Sequence, residues 1–471
     1  MPQHPEHSRL NVVSINPLAY QVTTHAPCIC NELASLHNRH MPVTVDELGD
    51  ADYRAKRLFN LPVLHNYSPV SKLSVAMAYT GAKRHVYLRA LHNLREGICY
   101  KRATRVSMFI KSDKYPRGDL EGPEPKMPRA IQFRSPEFNL SIACYLKPYE
   151  HGMYETLTSP VGLRVVAKGL NNLERAANIV EASQKFARPV YVLLDHSKFD
   201  SCVTEDMLKW THKQYLRTVK SKHLRRLLRF TINNRGTTKN GIKYKVNGGR
   251  MSGDFDTALG NTIINFATIT SGVKKFKHHL LIDGDDSVLI LERFDWETFV
   301  QYTLKDHCFK MGFNTKIEVA TELCHVEFCR SKLIPTNPPR FARDPIRAMS
   351  NYSVTLKDYS GDARLRYLAG IGVGEMAASA GVPIMQAYAL ALARAHSNPM
   401  YIEELHIAYG KPGDPLDIDP ESRAMFADQW GISPAQQEAI ESAIQTPTRV
   451  TTSELLRYYE LLPINKNEFT Y

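Results

Sequence analysis

The chain has 471 residues, of which 43% are hydrophobic, and it carries 60 lysines and arginines against 48 aspartates and glutamates, a formal net charge of +12. This composition excludes a disordered chain and predicts two or three globular domains, or one large multi-lobed enzyme. The positive excess favours a polyanionic partner, either nucleic acid or an acidic membrane surface.

The eight cysteines include no CxxC pair and do not form the framework of a disulfide-rich protein. Cys324, His325 and Cys329, with His307 and Cys308 upstream, leave a zinc site open, but their spacing matches no standard finger. Reduced, buried thiols of a cytosolic protein are the favoured interpretation.

Neither a signal peptide nor a membrane span is expected. The first thirty residues lack a basic segment followed by an apolar core. The most apolar stretch, Val382 to Ala395, is shorter than the ~18 residues that span a bilayer and contains Pro383, Gln386 and Arg394. It therefore predicts a buried helix.

The first 60 residues show no clear periodicity, and the first strongly basic segment is 101–134. It holds nine lysines and arginines against four acidic residues. Its middle is rich in proline and glycine, which predicts an extended loop between two ordered pieces.

The apolar run from Val190 to Leu194 predicts a buried strand, and Thr204 is placed to cap a following helix. Asp195 stands where the strand ends, and Asp200 follows five residues later. A carboxylate on a rigid strand end suits a metal ligand, although strands also end in aspartate for turn formation.

Residues 216–250 contain eleven lysines and arginines and no acidic residue. A solvated helix face usually mixes both signs, because like charges repel at close spacing. The unbroken run therefore favours a wall that faces phosphates over a solvated face.

The segment 248–269 opens with glycines and continues as a predicted helix. Asp254, Thr257, Asn261 and Asn265 are three, four and four residues apart and form one polar stripe. The stripe either faces solvent or lines a polar pocket, and its small hydrogen-bonding groups favour the pocket.

Two short apolar runs between Leu280 and Leu291 flank Asp283-Gly284-Asp285-Asp286, which predicts a hairpin with acidic residues at its tip. Adjacent carboxylates reduce their repulsion by binding a divalent cation such as Mg²⁺. Beyond about residue 340 the chain is predicted to be mainly helical, with a capped start at Ser433.

These segments follow the order Asp-x4-Asp, Ser-Gly-x3-Thr-x3-Asn and Gly-Asp-Asp, which resembles motifs A, B and C of viral RNA-dependent RNA polymerases. Further segments resemble the tombusvirus-like (carmovirus-like) enzymes of positive-strand RNA viruses across roughly residues 75–350. They are AYTGAKRHVYLRA (78–90, motif G), 108–139 (motif F), KGLNNLERA (168–176, ahead of motif A), MGFNTKIE (311–318, motif D) and VEFCRSKLI (326–334, motif E).

The resemblance implies an α/β (α+β) right-hand fold with palm, fingers and thumb, an antiparallel palm sheet and a helical thumb. The implied parts are an N-terminal region or fingertips (1–75), fingers with motifs G and F (76–189), palm with motif A (190–204), a basic fingers insertion (205–247), palm with motifs B to E (248–340) and thumb (341–471).

The activity that the resemblance implies is template-directed, two-metal nucleotidyl transfer from NTPs. Asp195, Asp285 and Asp286 would hold two Mg²⁺ (or Mn²⁺) ions, and Lys316 would act as the general acid for pyrophosphate. The triphosphate and the ribose would be bound by Lys111, Lys114, Arg129, Arg134, Asp200, Ser252, Thr257 and Asn261.

The implied partners are the viral RNA template, the product strand and NTPs. A separate viral or host factor is expected to recruit the chain to membrane-associated replication complexes in the host cytoplasm, because no transmembrane segment is expected.

Two alternatives stay open. A reverse transcriptase would share the palm and its metals, but usually has Tyr-x-Asp-Asp and lacks the Ser-Gly-x3-Thr-x3-Asn helix. A non-catalytic RNA-binding protein, a decayed polymerase, would not need Asp195, Asp285 and Asp286 together. The sequence also departs from the family pattern, with Asp113 where glutamate is usual and Asp283 where asparagine is frequent.

Overall fold

A computed structural model describes residues 5, 9–40, 49–97, 100–411 and 413–465. They form a mixed fold of α-helices and five β-sheets. The strands are Asn11–Val12 (β1), Val22–Thr23 (β2), Val106–Ile110 (β3), Tyr115–Pro116 (β4), Ala130–Phe133 (β5), Pro189–His196 (β6), Asn233–Thr238 (β7), Lys243–Asn247 (β8), His278–Asp283 (β9), Asp286–Glu292 (β10), Thr315–Ala320 (β11), Glu327–Phe328 (β12), Ser331–Ile334 (β13), Arg340–Arg343 (β14) and Val354–Thr355 (β15).

Helices make up most of the remaining ordered chain, particularly after residue 344. They are Ile29–Ser35 (α1), Ala51–Arg57 (α2), Lys72–Met77 (α3), Gly81–Arg95 (α4), Tyr100–Ala103 (α5), Gly118–Glu121 (α6), Pro136–Thr156 (α7), Asn172–Ser183 (α8), Phe199–Cys202 (α9), Glu205–Thr218 (α10), Lys222–Arg229 (α11), Thr257–Val273 (α12), Arg293–Asp295 (α13), Gln301–Met311 (α14), Pro345–Tyr352 (α15), Gly361–Ser379 (α16), Met385–Ala393 (α17), Glu403–Tyr409 (α18), Pro420–Trp430 (α19), Pro434–Ala443 (α20) and Thr452–Tyr459 (α21).

The central sheet has the strand order β11-β6-β10-β9, and every neighbouring pair is antiparallel. Both of its faces are buried. In β9, Leu280 and Ile282 pack into the core that contains α12, whereas Leu281 packs into a second core with Ala176 and Ile179 of α8. Because side chains alternate between the two faces, burial on both sides accounts for the continuous apolar runs of this hairpin.

A second sheet, with the order β5-β3-β7-β8, joins the two basic segments. β3 pairs with β5 in the antiparallel sense and with β7 in the parallel sense, so Met108 lies opposite both Gln132 and Thr238. Segments that are about 100 residues apart in the sequence thus become one surface.

The N-terminal segment connects two distant parts of the chain. β1 pairs with β15, with Val12 opposite Val354, and β2 pairs with β4, with Thr23 opposite Tyr115. Between the two pairings, the Gln21 side chain donates to the carbonyl of Leu462 at 2.9 Å. Residues 11–23 therefore join the middle of the first basic segment to the C-terminal part of the chain.

Several elements predicted from the sequence are confirmed. The strand at 190–194 is β6, the acidic hairpin is β9–β10, and Thr204 caps α10 through its side chain. Ser433 and Gln436 form the capping box of α20. The apolar stretch around Gln386 contains the mostly buried α17, and no helix in the described ranges is long and apolar enough to cross a membrane.

Three of the described cysteines, Cys144, Cys202 and Cys308, are buried as predicted, and the other four are half-buried. The seven cysteines among the described residues form no disulfide. His307 is buried and hydrogen-bonds the carbonyl of Thr268, while His325 pairs with Asp428. The cysteines and histidines between 307 and 329 therefore do not converge on a zinc site.

Candidate active site

Three carboxylates meet at one end of the central sheet. Asp195 is the penultimate residue of β6, Asp285 lies in the turn of the β9–β10 hairpin, and Asp286 begins β10. Ser287 is paired with Leu194, so the next position along the ladder brings Asp286 beside Asp195. Each carboxylate is thus held by the end of a regular strand or by its tight turn.

The electrostatics around the three carboxylates are those of an acidic cluster with excess negative charge. Burial, together with the charge of Asp195, raises the pKa of Asp285, although this carboxylate is open to solvent in the cleft. Burial and the charges of Asp285 and Asp195 raise the pKa of Asp286 to about 6. A divalent cation would relieve this repulsion, and carboxylate oxygens are the ligands that Mg²⁺ prefers.

The carboxylates are near one another but not yet arranged as a ligand shell. Among the described residues, no three histidine, cysteine or acidic side chains already have the geometry to hold a metal ion. Asp195 and Asp285 are both exposed, so their side chains are free to rotate toward a shared ion. The donor chemistry fits a divalent cation, and side-chain rotation would complete the site.

A buried line of hydrogen bonds fixes the turn that carries Asp285. The Nδ2 group of Asn265, in α12, donates to the carbonyls of Gly284 at 3.1 Å and Asp285 at 3.2 Å. Its Oδ1 lies 3.0 Å from Nε2 of His196, and Nδ1 of His196 lies 2.8 Å from Oγ1 of Thr315. Four elements, β11, β6, α12 and the hairpin turn, are thereby held in register.

The unusual Asp283 has a partner. It forms an ion pair with Arg175 in α8, in the segment that precedes β6. The third carboxylate of the hairpin is therefore neutralised by a fixed cation. Arg175 lies within the family-like segment KGLNNLERA, but the sequence alone assigned no role to this residue.

The start of α12 lies against the short helix α9, which follows β6. Nδ2 of Asn261 donates to Oδ1 of Asp200 at 2.7 Å, and Oδ1 of Asn261 accepts from Nε of Arg250 at 3.3 Å. Burial raises the pKa of Asp200, and the hydrogen bond from Asn261 opposes that shift. Both residues belong to the substrate-binding set that the resemblance implies, and the structure brings them into direct contact.

The Ser252 and Thr257 hydroxyls are occupied by backbone groups. Oγ of Ser252 accepts from the backbone N–H of Gln132 at 3.0 Å, and the hydroxyl of Thr257 donates to the carbonyl of Met251 at 2.7 Å. Both side chains therefore shape the loop before α12 and fasten it to β5.

The polar stripe predicted along this helix is shorter than expected. Asp254 precedes the first turn of α12 and pairs with Arg134, so it lies outside the helix. Thr257, Asn261 and Asn265 remain on the helix, and the two asparagines point to Asp200 and the acidic turn. The polar-pocket interpretation of these two residues agrees with their contacts.

Two of the predicted phosphate-binding cations are placed to reach the site. Lys111 and Arg129 flank Asp113 at 3.0 and 3.6 Å and are both substantially exposed. Burial raises the pKa of Asp285 and of Asp200, and the charge of Arg129 partly opposes both shifts, so Arg129 lies within electrostatic range of the acidic cluster. Asp113 thus holds the two cations next to each other.

Two other predicted phosphate ligands have structural partners instead. Arg134 is 1% exposed, pairs with Asp254 at 3.2 Å and donates to the carbonyl of Thr104 at 3.0 Å. Lys114 is half-buried and donates to the carbonyls of Asn351 and Val354, and desolvation of its ammonium group lowers its pKa to about 8. Burial and these partners give Arg134 a structural role, and its assignment to the nucleotide path stays a prediction.

Lys316 lies directly across from Asp195 in the β11–β6 ladder. Side chains of directly opposed residues in an antiparallel pair project from the same face. Lys316 is 70% exposed and forms an ion pair with Glu318, which raises its pKa. It is therefore protonated and free to move near the acidic cluster.

Sequence reasoning overlooked a cation in the turn between β12 and β13. Cys329 and Arg330 both have positive φ, 51° and 57°, as a two-residue hairpin turn requires. Burial and the neighbouring carboxylates raise the pKa of Asp286, and the charge of Arg330 partly opposes that rise. The signal that could have revealed it was a non-glycine pair between two short strands.

Comparison with known proteins agrees with this geometry. A family model described as "Viral RNA dependent RNA polymerase" matches residues 7–450. The chain is 32% identical over 398 residues to an RNA-directed RNA polymerase of Groundnut rosette virus (79% of this chain, 46% of the relative). It is 31% identical over 444 residues to that of Oat chlorotic stunt virus (85% and 58%), and 30% identical over 402 residues to that of Carnation mottle virus (82% and 52%). The chain spans about half the length of these curated relatives.

Proposed function

The chain belongs to the viral RNA-dependent RNA polymerase family, and we propose that it synthesises RNA on an RNA template of a positive-strand virus, from nucleoside triphosphates. The observation that carries the proposal is the meeting of Asp195, Asp285 and Asp286 at one end of the central sheet, beside Lys316. Nucleotidyl transfer needs such an acidic cluster with a cation beside it, whereas RNA binding alone would not.

The parts of a right hand are assigned on the same basis. The central sheet, with residues 190–204 and 248–340, would form the palm, and 341–471 the thumb, which is supported by the helices α15–α21. Residues 76–189 and the basic insertion 205–247 would form the fingers, which is supported by the sheet they share. Residues 1–75 would form the fingertips that reach the thumb, as the β1–β15 pairing suggests.

Asp195, Asp285 and Asp286 are the residues that would hold two divalent cations, Mg²⁺ or Mn²⁺. Such a pair, when bound, stabilises charge on the attacking and leaving oxygens of an in-line displacement. Asn265 keeps the turn of Asp285 in place through its two hydrogen bonds, so that the backbone that carries this carboxylate is fixed before substrate arrives.

The remaining charges would act on the triphosphate. Arg129 and Lys111 would neutralise its negative charge, since catalysis of phosphoryl transfer consists mainly of positioning and electrostatic stabilisation. Lys316 would donate a proton to the departing pyrophosphate, for which its exposed ammonium group is protonated and mobile.

Ribose recognition would belong to Asp200 and Asn261. A carboxylate only accepts hydrogen bonds, whereas a 2′-hydroxyl both donates and accepts. One oxygen of Asp200 is engaged by Asn261, which leaves the other available to accept from the sugar. Ser252 and Thr257 would contribute indirectly, by shaping the loop that precedes α12.

The deciding experiment is nucleotide incorporation by the purified chain on a poly-ribonucleotide template with a defined 3′ end and Mg²⁺. Ribonucleotide incorporation that depends on the template is the expected result. Incorporation of deoxynucleotides alone would indicate a reverse transcriptase, and RNA binding without any incorporation would indicate a non-catalytic protein. Product length on the same template also reports whether synthesis starts with a primer.

A further inference from the structure

A cavity of about 500 Å³ lies between α10 and α11, outside the acidic site. Its floor is apolar and consists of Leu216, Leu228 and Ile232. Its rim is basic, with Lys209, Lys213, Arg217, Arg225 and Arg229, and no aspartate or glutamate lines it. His212 completes the wall, and burial lowers its pKa to about 4, so it is neutral near pH 7.

Three of these cations have no partner within the described part of the chain. Lys213, Arg225 and Arg229 are exposed and take part in no side-chain hydrogen bond or ion pair there. By contrast, Lys209 pairs with Glu205, and Arg217 donates to the carbonyl of Leu61. Uncompensated cations around an apolar floor are complementary to a ligand that has both phosphates and flat apolar faces.

The cations form two rows with the same spacing. Lys209, Lys213 and Arg217 follow one another at four-residue intervals along α10, and Arg225 and Arg229 do so along α11. Four residues of α-helix rise about 6 Å, a spacing close to that of successive phosphates on an extended nucleotide strand. A free phosphate or a triphosphate would use only one part of such a rim.

We propose that this groove is a second RNA-binding site, which holds a short single-stranded segment of the template or product outside the catalytic cleft. The phosphates lie against the two rows of cations, and a base rests on the floor of Leu216, Leu228 and Ile232. The inference rests on the proposed function for the identity of the strand, but not on catalysis.

The groove also divides the basic stretch 216–250 into two groups. Arg225 and Arg229 line the groove, whereas Lys220, Lys222 and Arg226 are exposed in the same segment and do not. This difference supplies a matched control. The groove triple variant, Lys213→Gln, Arg225→Gln and Arg229→Gln, removes three charges from the groove. The outer triple variant, Lys220→Gln, Lys222→Gln and Arg226→Gln, removes three charges from outside it.

The test is fluorescence anisotropy of a labelled single-stranded oligoribonucleotide, titrated with each triple variant at several salt concentrations. Each phosphate contact on a single strand contributes about 0.7 to the slope of log affinity against log salt. The groove triple should lower that slope by about 2 and weaken binding about tenfold to hundredfold near 0.1 M salt. The outer triple should change the slope by less than half as much. Equal changes in both would reject the groove as a site.

Two further measurements keep the test decisive. If the groove triple variant does not fold, two single variants make the same comparison. Arg229→Gln removes one charge from the groove, and Arg226→Gln removes one charge from outside it. Photo-crosslinking of a 4-thiouridine oligonucleotide to the unmodified chain should label peptides within 209–232, and no label there would overturn the proposal. Preferential capture of the chain by vesicles of anionic lipid, with no groove-dependent RNA binding, would also overturn it.

The outcome is independent of the catalytic proposal. Groove-dependent RNA binding in a chain that incorporates no nucleotide would retain the groove and reject the polymerase activity. Normal incorporation together with equal salt slopes for the two triple variants would retain the polymerase activity and reject the groove.

Discussion

The side-chain amide of Asn261 donates a 2.7 Å hydrogen bond to the carboxylate of Asp200, which joins the first helical turns of α12 to the short helix α9 after β6. A site built to bond a hydroxyl rejects the analogue that lacks it, because its own polar groups are then left unpaired. The pair is therefore placed to distinguish ribose from deoxyribose.

We expect Asn261→Ala or Asp200→Ala to reduce the preference for GTP over dGTP by one to two orders of magnitude, since a lost charged hydrogen bond is worth about 1.5–3 kcal/mol. The measurement is kcat/KM for both nucleotides on one template. Glu297→Ala is the control, because this exposed carboxylate lies outside the site and both efficiencies should stay unchanged. A constant ratio in Asn261→Ala would make the pair structural.

Substitution of the acidic cluster should separate catalysis from binding. We expect Asp285→Ala or Asp195→Ala to abolish incorporation while RNA affinity stays within a few-fold, because the phosphate contacts come from the basic segments. Glu297→Ala removes an exposed carboxylate outside the cluster and should leave incorporation intact. More than a few per cent of activity in Asp285→Ala would contradict the assignment.

The buried contacts of Asn265 predict a different effect. Asn265→Ala removes both hydrogen bonds to the turn of Asp285 and leaves the His196 ring without one partner. We expect kcat to fall at least tenfold with little change in template affinity, and stability to fall by about 1–3 kcal/mol. A double-mutant cycle with His196→Ala should show coupling in both kcat and unfolding free energy, and strict additivity would argue against a connected network.

Arg134 is expected to matter for stability. Arg134→Met leaves the buried Asp254 without its cation and should cost about 3–5 kcal/mol, as for other broken buried pairs. The double variant Arg134→Met with Asp254→Asn should recover part of this loss in urea unfolding. Unchanged stability with an increased KM for NTPs would instead return Arg134 to the nucleotide path.

Buried histidines should make the fold sensitive to acid. His279 lies 2.8 Å from both Ser159 and Asn178, and burial lowers its pKa from 6.5 to about 4. The folded chain then binds fewer protons than the unfolded chain between these values, so stability present above pH 6.5 is lost as the pH falls toward 4.

The measurement is the free energy of unfolding in urea at pH 7, 6 and 5. His279→Gln should reduce the dependence of this free energy on pH by up to about 1.4 kcal/mol per pH unit, the effect of one bound proton. The exposed His65→Gln is the matched substitution, and equal slopes in the two variants would show that His279 is not the titrating group.

Local patterns in the sequence predicted the elements that build the acidic site. The β9–β10 hairpin follows from two apolar runs around a tight acidic turn, and the start of α10 follows from Thr204 with acidic residues after it. The grouping of Asp200 with Asn261 in one binding site came from motif resemblance, because no local pattern relates residues that are 61 positions apart.

Other features depend on burial and distant pairing, which no local pattern carries. Arg134 lies in a basic segment, where an exposed cation is expected. Only the tertiary fold places Asp254 and Asn234 around it. Likewise, β1 and β15 have two residues each, too few to show a strand period, and their pairing is defined by partners in another part of the chain.

The pairing of β1 with β15 also sets an order of events during synthesis. Val12 cannot pair with Val354 until about 340 further residues have been synthesised. At 5–20 residues per second, this translation takes about 20–70 s. The central sheet needs nothing beyond Ala320 and is complete first. A nascent chain thus passes through an interval in which all strands of the central sheet have been synthesised and the N-terminal segment still lacks its β15 partner.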